Sequence, residues 1–170
     1  MRIILLLFLF IVSASTYGQG FFERHPQLSK YTEAINQQLN SYKTVTLKNG
    51  EFLENLTDGG GTLIGYFSGK ELVKIELEVG ISYGKYQYDY YFKDSELYYI
   101  VETFNQYSYD VDSDTWDYSK LEQNFRGDYV FQPDFDYETL GHNRFEDDTL
   151  DPEKVLKEEA LEYSEILKKK

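Results

Sequence analysis

The spacing of apolar residues predicts a helix at each end of the chain and strands between them. Near the start, apolar side chains recur three and four positions apart, at Leu28, Tyr31, Ile35, Leu39 and Tyr42. This spacing predicts an amphipathic helix from Pro26 to Tyr42. Near the end, Asp151 and Pro152 provide an N-cap and a first helical position, and the apolar residues after them predict a helix to about Leu167.

Between the helices, apolar and polar residues alternate, which is the period of a strand with one buried face. The clearest runs are residues 73–79 and residues 86–92. Asn49-Gly50 predicts a tight hairpin turn, with residues 51–58 as either the returning strand or a loose edge. Residues 132–149 show no period, and their aromatic residues indicate a packed loop.

Together these elements predict an α+β fold, with an N-terminal helix, a curved antiparallel meander of about six to seven strands and a C-terminal helix. The connections are short, so we expect sequential strands to pair as neighbours. We expect both helices to cover the apolar face of the sheet. One stripe on that face is aromatic and is expected in the core: Tyr86, Tyr88, Tyr90 and Phe92.

The first 18 residues have the layout of a secretory signal peptide. Met1 and Arg2 form a positive start, residues 3–12 are an unbroken apolar run, and small residues lead to a predicted cut after Gly18. The run is too short to span a bilayer, which needs about 20 residues. We therefore expect an exported protein, in a periplasm or outside the cell, with a single domain at residues 19–170 and no membrane insertion after cleavage.

Composition narrows the function classes. The chain has 30 acidic and 17 basic residues, a net charge of −13, so it repels phosphate backbones and a nucleic-acid partner is not expected. It has no cysteine, so packing must stabilise it without disulfides. No nucleophile motif is present, and His25 and His142 lack the spacing of zinc ligands, so we predict a non-enzymatic protein without an obligatory cofactor.

The order of elements and a few motifs resemble a group of exported proteins of Bacteroidota-type bacteria. The motifs are the Gly-rich segment at residues 58–62, the "YYFKD-x-x-L" hairpin at residues 90–97 and the acidic C-terminal helix. The resemblance covers most of residues 19–170. It implies the α+β meander and no particular activity, because the group has no assigned catalytic residues.

An acidic segment in the middle of the chain has the spacing of a cation-binding loop. Asp110, Asp112 and Asp114 alternate and Asp117 follows, which would supply the oxygen ligands that Ca²⁺ prefers. The glycine and the final glutamate of an EF-hand loop are replaced by Thr115 and Leu121. The alternative is an acidic hairpin turn, since Asp and Ser favour turns.

Aromatic residues provide a second candidate site. We expect an exposed binding surface for a protein or a glycan, because Tyr and Trp are enriched at interfaces. Its candidate residues are Tyr91, Tyr98, Tyr107, Tyr109 and Trp116. The leading hypothesis is therefore an exported binding or interaction protein that presents aromatic and acidic residues on a sheet. A calcium-binding structural or adhesive module and a hydrolase with unrecognised carboxylates are the alternatives.

Overall fold

A computed structural model describes residues 19–142, 144–145 and 149–170, so the predicted signal peptide at 1–18 lies outside the described residues. The fold is α+β, as expected. Its helices are α1 (Gln19–Arg24), α2 (Gln27–Asn36) and α3 (Pro152–Lys168). Its strands are β1 (Lys43–Lys48), β2 (Gly61–Ser68), β3 (Glu71–Ile81), β4 (Gly84–Lys93), β5 (Glu96–Asp110), β6 (Thr115–Val130) and β7 (Asp136–Leu140).

The seven strands form one antiparallel sheet in chain order, β1 to β7, which is not closed into a barrel. This is the predicted meander. The strand β7 was not predicted, because residues 132–149 were expected to be a loop. Five residues at the edge of a sheet are too few to show a period, and β7 becomes a strand by pairing with Arg126–Val130 of β6.

The helices cover opposite faces of the sheet, so the expectation that both lie on one face is wrong. On one face, here called the α3 face, Leu156, Ala160 and Leu167 of α3 pack on a core that includes Ile75 and Ile100. On the other, the α2 face, residues of α1 and α2 pack on the sheet. That second core consists of Phe21, Leu28, Ile35, Tyr91, Tyr98, Tyr99 and Val130.

The N-terminal helix is shorter than predicted, because α2 ends at Asn36 and a short 3₁₀ turn, Leu39–Ser41, follows. Asn and Ser side chains compete with the helix for backbone partners. The Ser41 hydroxyl donates to the Gln38 carbonyl at 2.7 Å. The chain can therefore leave the helix and turn toward β1.

Asn49-Gly50 does not close a tight hairpin. Asn49–Glu51 is a 3₁₀ turn, and β2 begins only at Gly61, so residues 51–58 form the loose connection of the two alternatives. The Asn49 side chain accepts a hydrogen bond from the Gly61 amide at 2.9 Å. Phe52 is buried in the core of the α3 face. Burial of the Phe52 ring therefore favours a long connection between β1 and β2 over a tight hairpin.

Candidate functional site

The last pair of long strands extends beyond the sheet as a two-stranded hairpin. β4 pairs with β5 only as far as Gln106, whereas β5 continues to Asp110 and pairs with the first half of β6. We call residues 107–121 the hairpin arm. Tyr109 pairs with Trp116 across it. The arm therefore carries the acidic loop and three of the five predicted aromatic residues.

Two carboxylates of the acidic loop, those of Asp110 and Asp114, accept hydrogen bonds within the turn itself. An oxygen of Asp110 accepts the amides of Asp112 at 3.0 Å and Ser113 at 3.4 Å. Asp114 has a φ of 53° and accepts the hydroxyl of Tyr109. These bonds hold a tight turn.

Asp117 likewise binds its own strand. It accepts the Ser119 amide at 3.0 Å and pairs with Lys120 at 2.7 Å, and these bonds lower the pKa of Asp117 to about 2. Within the described part of the chain, no three His, Asp or Glu side chains are arranged to hold a metal ion. The geometry of Asp110, Asp112, Asp114 and Asp117 is that of the acidic hairpin turn.

Two of the predicted surface residues lie in the core. Tyr91 is 2% exposed and Tyr98 is 8% exposed, and both pack beneath α2. The strands that carry them are covered by helices on both the α2 face and the α3 face. With both helices expected on one side, the other face was expected to be exposed. Tyr91 and Tyr98 are therefore not part of an exposed surface.

Of the remaining predicted aromatic residues, Tyr109 and Trp116 belong to a continuous series of ring contacts, here called the aromatic row, whereas Tyr107 packs on Tyr118 outside it. Ring centroids are 4.5 Å apart for Tyr86 and Phe104, 5.8 Å for Phe104 and Tyr83, 6.2 Å for Tyr83 and Trp116, and 4.9 Å for Trp116 and Tyr109. Tyr83 is 41% exposed and Tyr109 is 45% exposed. The row therefore runs from the sheet to the hairpin arm, and its rings are open to solvent along part of its length.

A pocket of about 390 Å³ lies at the sheet end of the row, on the α3 face. Four rings line it: Tyr86, Tyr88, Phe104 and Phe125. Its polar lining residues are Glu102, His142 and Arg144. We call it the Glu102 pocket. Neighbouring strands build it, because Tyr88 pairs with Glu102 and Phe104 pairs with Phe125 across the sheet.

Glu102 is a carboxylate that the fold removes from water. Its side chain is 3% exposed, and it accepts the hydroxyls of Tyr88 at 2.9 Å and Tyr129 at 3.3 Å. Burial raises the pKa of Glu102 although these bonds and Arg144 favour the charged form. A buried carboxylate in a concave site makes Glu102 a candidate functional residue.

Arg144 stands at the edge of the pocket and is held by α3. Its guanidinium pairs with both oxygens of Glu159, at 2.6 Å and 2.8 Å, and lies over the ring of Tyr88. Its Nε is 3.9 Å from Glu102, beyond hydrogen-bond distance. The ring of Tyr90 stacks on that of Tyr88, and the Tyr90 hydroxyl is buried with no hydrogen-bond partner among the described residues.

Sequence reasoning missed the pocket. Glu102 is one of 30 acidic residues, and the carboxylates were too numerous to single out one. A signal was present, because Glu102 stands at a period-two position between Ile100 and Phe104, on a face that is otherwise apolar. A charged residue on a buried face needs partners, and this is the observation that could have identified it.

A second cavity of about 690 Å³ lies on the α2 face, between α2 and the sheet. Two of its charged lining residues, Asp89 and Arg126, belong to ion pairs. The buried Lys74 contacts Glu76 at 2.7 Å and Asp89 at 3.2 Å, and Arg126 contacts Asp128 at 2.8 Å. Burial lowers the pKa of Lys74, but these carboxylates raise it more, so the amine stays charged. This network stabilises the packing of α2.

None of the described helices is long and apolar enough to cross a membrane. Comparison of the chain with protein-family models, with curated protein sequences and with solved structures finds no match.

Proposed function

We propose that this protein is an exported, non-enzymatic glycan-binding protein, which holds a sugar chain along the aromatic row from the Glu102 pocket to the hairpin arm. The observation that carries the proposal is the continuity of the row. Its five rings contact one another in sequence, from Tyr86 in the pocket to Tyr109 on the arm. A row of aromatic rings suits a ligand that repeats along its length.

The polar groups beside the row favour a glycan over a protein. The arm end of the row is lined by amide and hydroxyl side chains, including Gln106, Ser108 and Asn124. Neither this hollow nor the Glu102 pocket includes an aliphatic side chain among its described lining residues. Sugars present C–H groups to aromatic faces and hydroxyls to such polar groups. A protein interface would instead offer a mixed apolar core.

The chain contains its own reporter for the test. Trp116 is the only tryptophan, so tryptophan fluorescence arises from one ring of the aromatic row alone, next to Tyr109 at its arm end. We expect at least one soluble neutral polysaccharide, from a set containing a β-glucan, a xylan and a mannan, to change this fluorescence saturably. Isothermal titration calorimetry would then give the affinity.

Variants localise the binding. Tyr109→Ala should weaken it roughly fivefold, because one stacked ring contributes on the order of 1 kcal/mol. Tyr118→Ala is the matched control, since Tyr118 is 63% exposed on the same arm but packs on Tyr107 outside the row. If no polysaccharide alters the fluorescence, the glycan proposal is wrong and a protein partner takes its place. Equal losses in both variants would place binding outside the row.

A further inference from the structure

The charge of Glu102 is incompletely balanced by its neighbour Arg144. Glu102 accepts two hydroxyl hydrogen bonds but has no cation within hydrogen-bond distance among the described residues, since Arg144 stops at 3.9 Å. Arg144 is committed to Glu159 through two short, parallel bonds, which is the strongest geometry for this pair. When both carboxylates are ionised, Glu102, Glu159 and Arg144 together carry a net charge of −1.

The walls of the pocket are suited to a cation. Four aromatic rings surround the carboxylate, and the faces of such rings are negative. Arg144 itself lies over the ring of Tyr88 with 5.8 Å to its centroid, which shows that this wall accepts a positive group. A carboxylate or phosphate on a ligand would be repelled by the negative charge of Glu102, because little water is present in the pocket to screen the repulsion.

We propose that the Glu102 pocket binds a protonated amine, so that the glycan on the aromatic row ends in an amino sugar. The ammonium group contacts Glu102, and the sugar ring lies against the aromatic wall. The part of this inference that concerns a glycan rests on the proposed function. The part that concerns an amine does not, because the charge of Glu102 and the aromatic rings of the pocket would bind an amine by themselves.

Two oligosaccharides that differ only in charge test the inference. One is a β-1,4-linked oligomer of glucosamine, and the other is the N-acetylated oligomer of the same length, whose nitrogen is neutral. At a pH at which the amine is protonated and Glu102 is ionised, we expect the glucosamine oligomer to bind at least tenfold more tightly, measured by Trp116 fluorescence and calorimetry. The preference should decrease with added salt, because charge is its source.

Substitutions identify the group responsible. Glu102→Gln should abolish the difference between the two oligomers. Glu159→Gln should reduce it as well, because Arg144 is then released and can neutralise Glu102. Glu159 lies on α3 with a partly exposed side chain, so this variant keeps the test valid if Glu102→Gln unfolds the protein. Glu158→Gln is the matched control, since Glu158 is exposed on the same helix and faces Lys154.

The outcomes separate the two proposals. Equal binding of both oligomers overturns the amine inference and leaves the glycan proposal standing. Binding of the glucosamine oligomer alone, insensitive to Tyr109→Ala, supports the amine site and contradicts the aromatic row. Absence of a response to either oligomer overturns the amine inference, and the neutral polysaccharides then decide the glycan proposal. A preference that persists in both Glu102→Gln and Glu159→Gln also overturns the inference.

Discussion

Glu102 shows how one residue can acquire its chemistry from neighbours that are distant in sequence. Its bonds come from Tyr88 on β4 and Tyr129 on β6, and the cation nearest to it comes from Arg144 before α3. Each of these contacts restrains a buried charge that would otherwise destabilise the fold by several kcal/mol. Burial still dominates, because the pKa of Glu102 remains raised.

The raised pKa predicts a pH dependence of stability. Above pH 4.5, the ordinary pKa of this group, the unfolded chain releases the proton while the folded protein retains it. The free energy of unfolding of the wild type should therefore fall, relative to Glu102→Gln, as the pH rises from there to the folded-state pKa. The slope is at most about 1.4 kcal/mol per pH unit.

Urea unfolding of both proteins between about pH 4 and pH 7 measures this difference. Other groups that titrate are shared by the two proteins and largely cancel. A difference that stays constant over this range would show that Glu102 is not held in a water-poor site.

At the scale of elements, the backbone conformation of the hairpin turns affects the stability of the meander. The β4–β5 hairpin has two loop residues, Asp94 and Ser95, and both have positive φ, at 54° and 67°. This is the pattern of a type I′ turn, which favours glycine at its second position. The β2–β3 hairpin has Gly69 at a φ of 64°. Gly69 is the first of the two loop residues there and Lys70 has no positive φ, so the two hairpins place the left-handed backbone at different positions.

Exchanging these residues should change stability in opposite directions. Ser95→Gly should raise the free energy of unfolding by about 0.5–1 kcal/mol, because Ser is strained at positive φ. Gly69→Ser should lower it by about 1 kcal/mol, and a Cβ there meets no atom within 4 Å, so backbone strain alone is responsible. Urea unfolding measures both variants. A loss of stability in Ser95→Gly would mean that the weak bond of the Ser95 hydroxyl to Glu71 matters more than the strain.

At the scale of the whole molecule, the protein is a sheet covered at different places on both faces. α3 covers the one face, and α1 and α2 cover the other. The hairpin arm extends past both covers, so its rings remain open to solvent. The Glu102 pocket lies where the cover by α3 gives way to the aromatic row. The arrangement of layers is thus what creates the candidate site.

The N-terminal layer should contribute strongly to stability. Phe21 is completely buried although it is only the third residue of α1, and it packs on Phe22 and His25. We expect Phe21→Ala to lower the free energy of unfolding by about 3–5 kcal/mol, measured with urea. Phe22→Ala is the control, because Phe22 is only half-buried and its substitution should lower the free energy of unfolding much less. Similar values for the two variants would mean that α1 is not docked on the sheet.

The local pattern of the chain determined the elements that depend on their own residues. Alternation with a period of two predicted the long strands, and the N-cap Asp151 with Pro152 predicted the start of α3, which the structure confirms through the bond from the Lys154 amide to Asp151. Short connections predicted the order of the strands. These features follow from nearest neighbours along the chain, so they can be recognised without the fold.

The tertiary structure alone decided the features that depend on distant contacts. The opposite placement of the helices, the burial of Tyr91 and Tyr98 and the pairing of β7 all require the sheet to exist first. The candidate site belongs to this class, because Tyr83, Phe104 and Trp116 meet only when β5 and β6 pair beyond the end of β4. A periodic pattern states which side of a strand is apolar, but the contacts across the sheet decide which groups share a pocket.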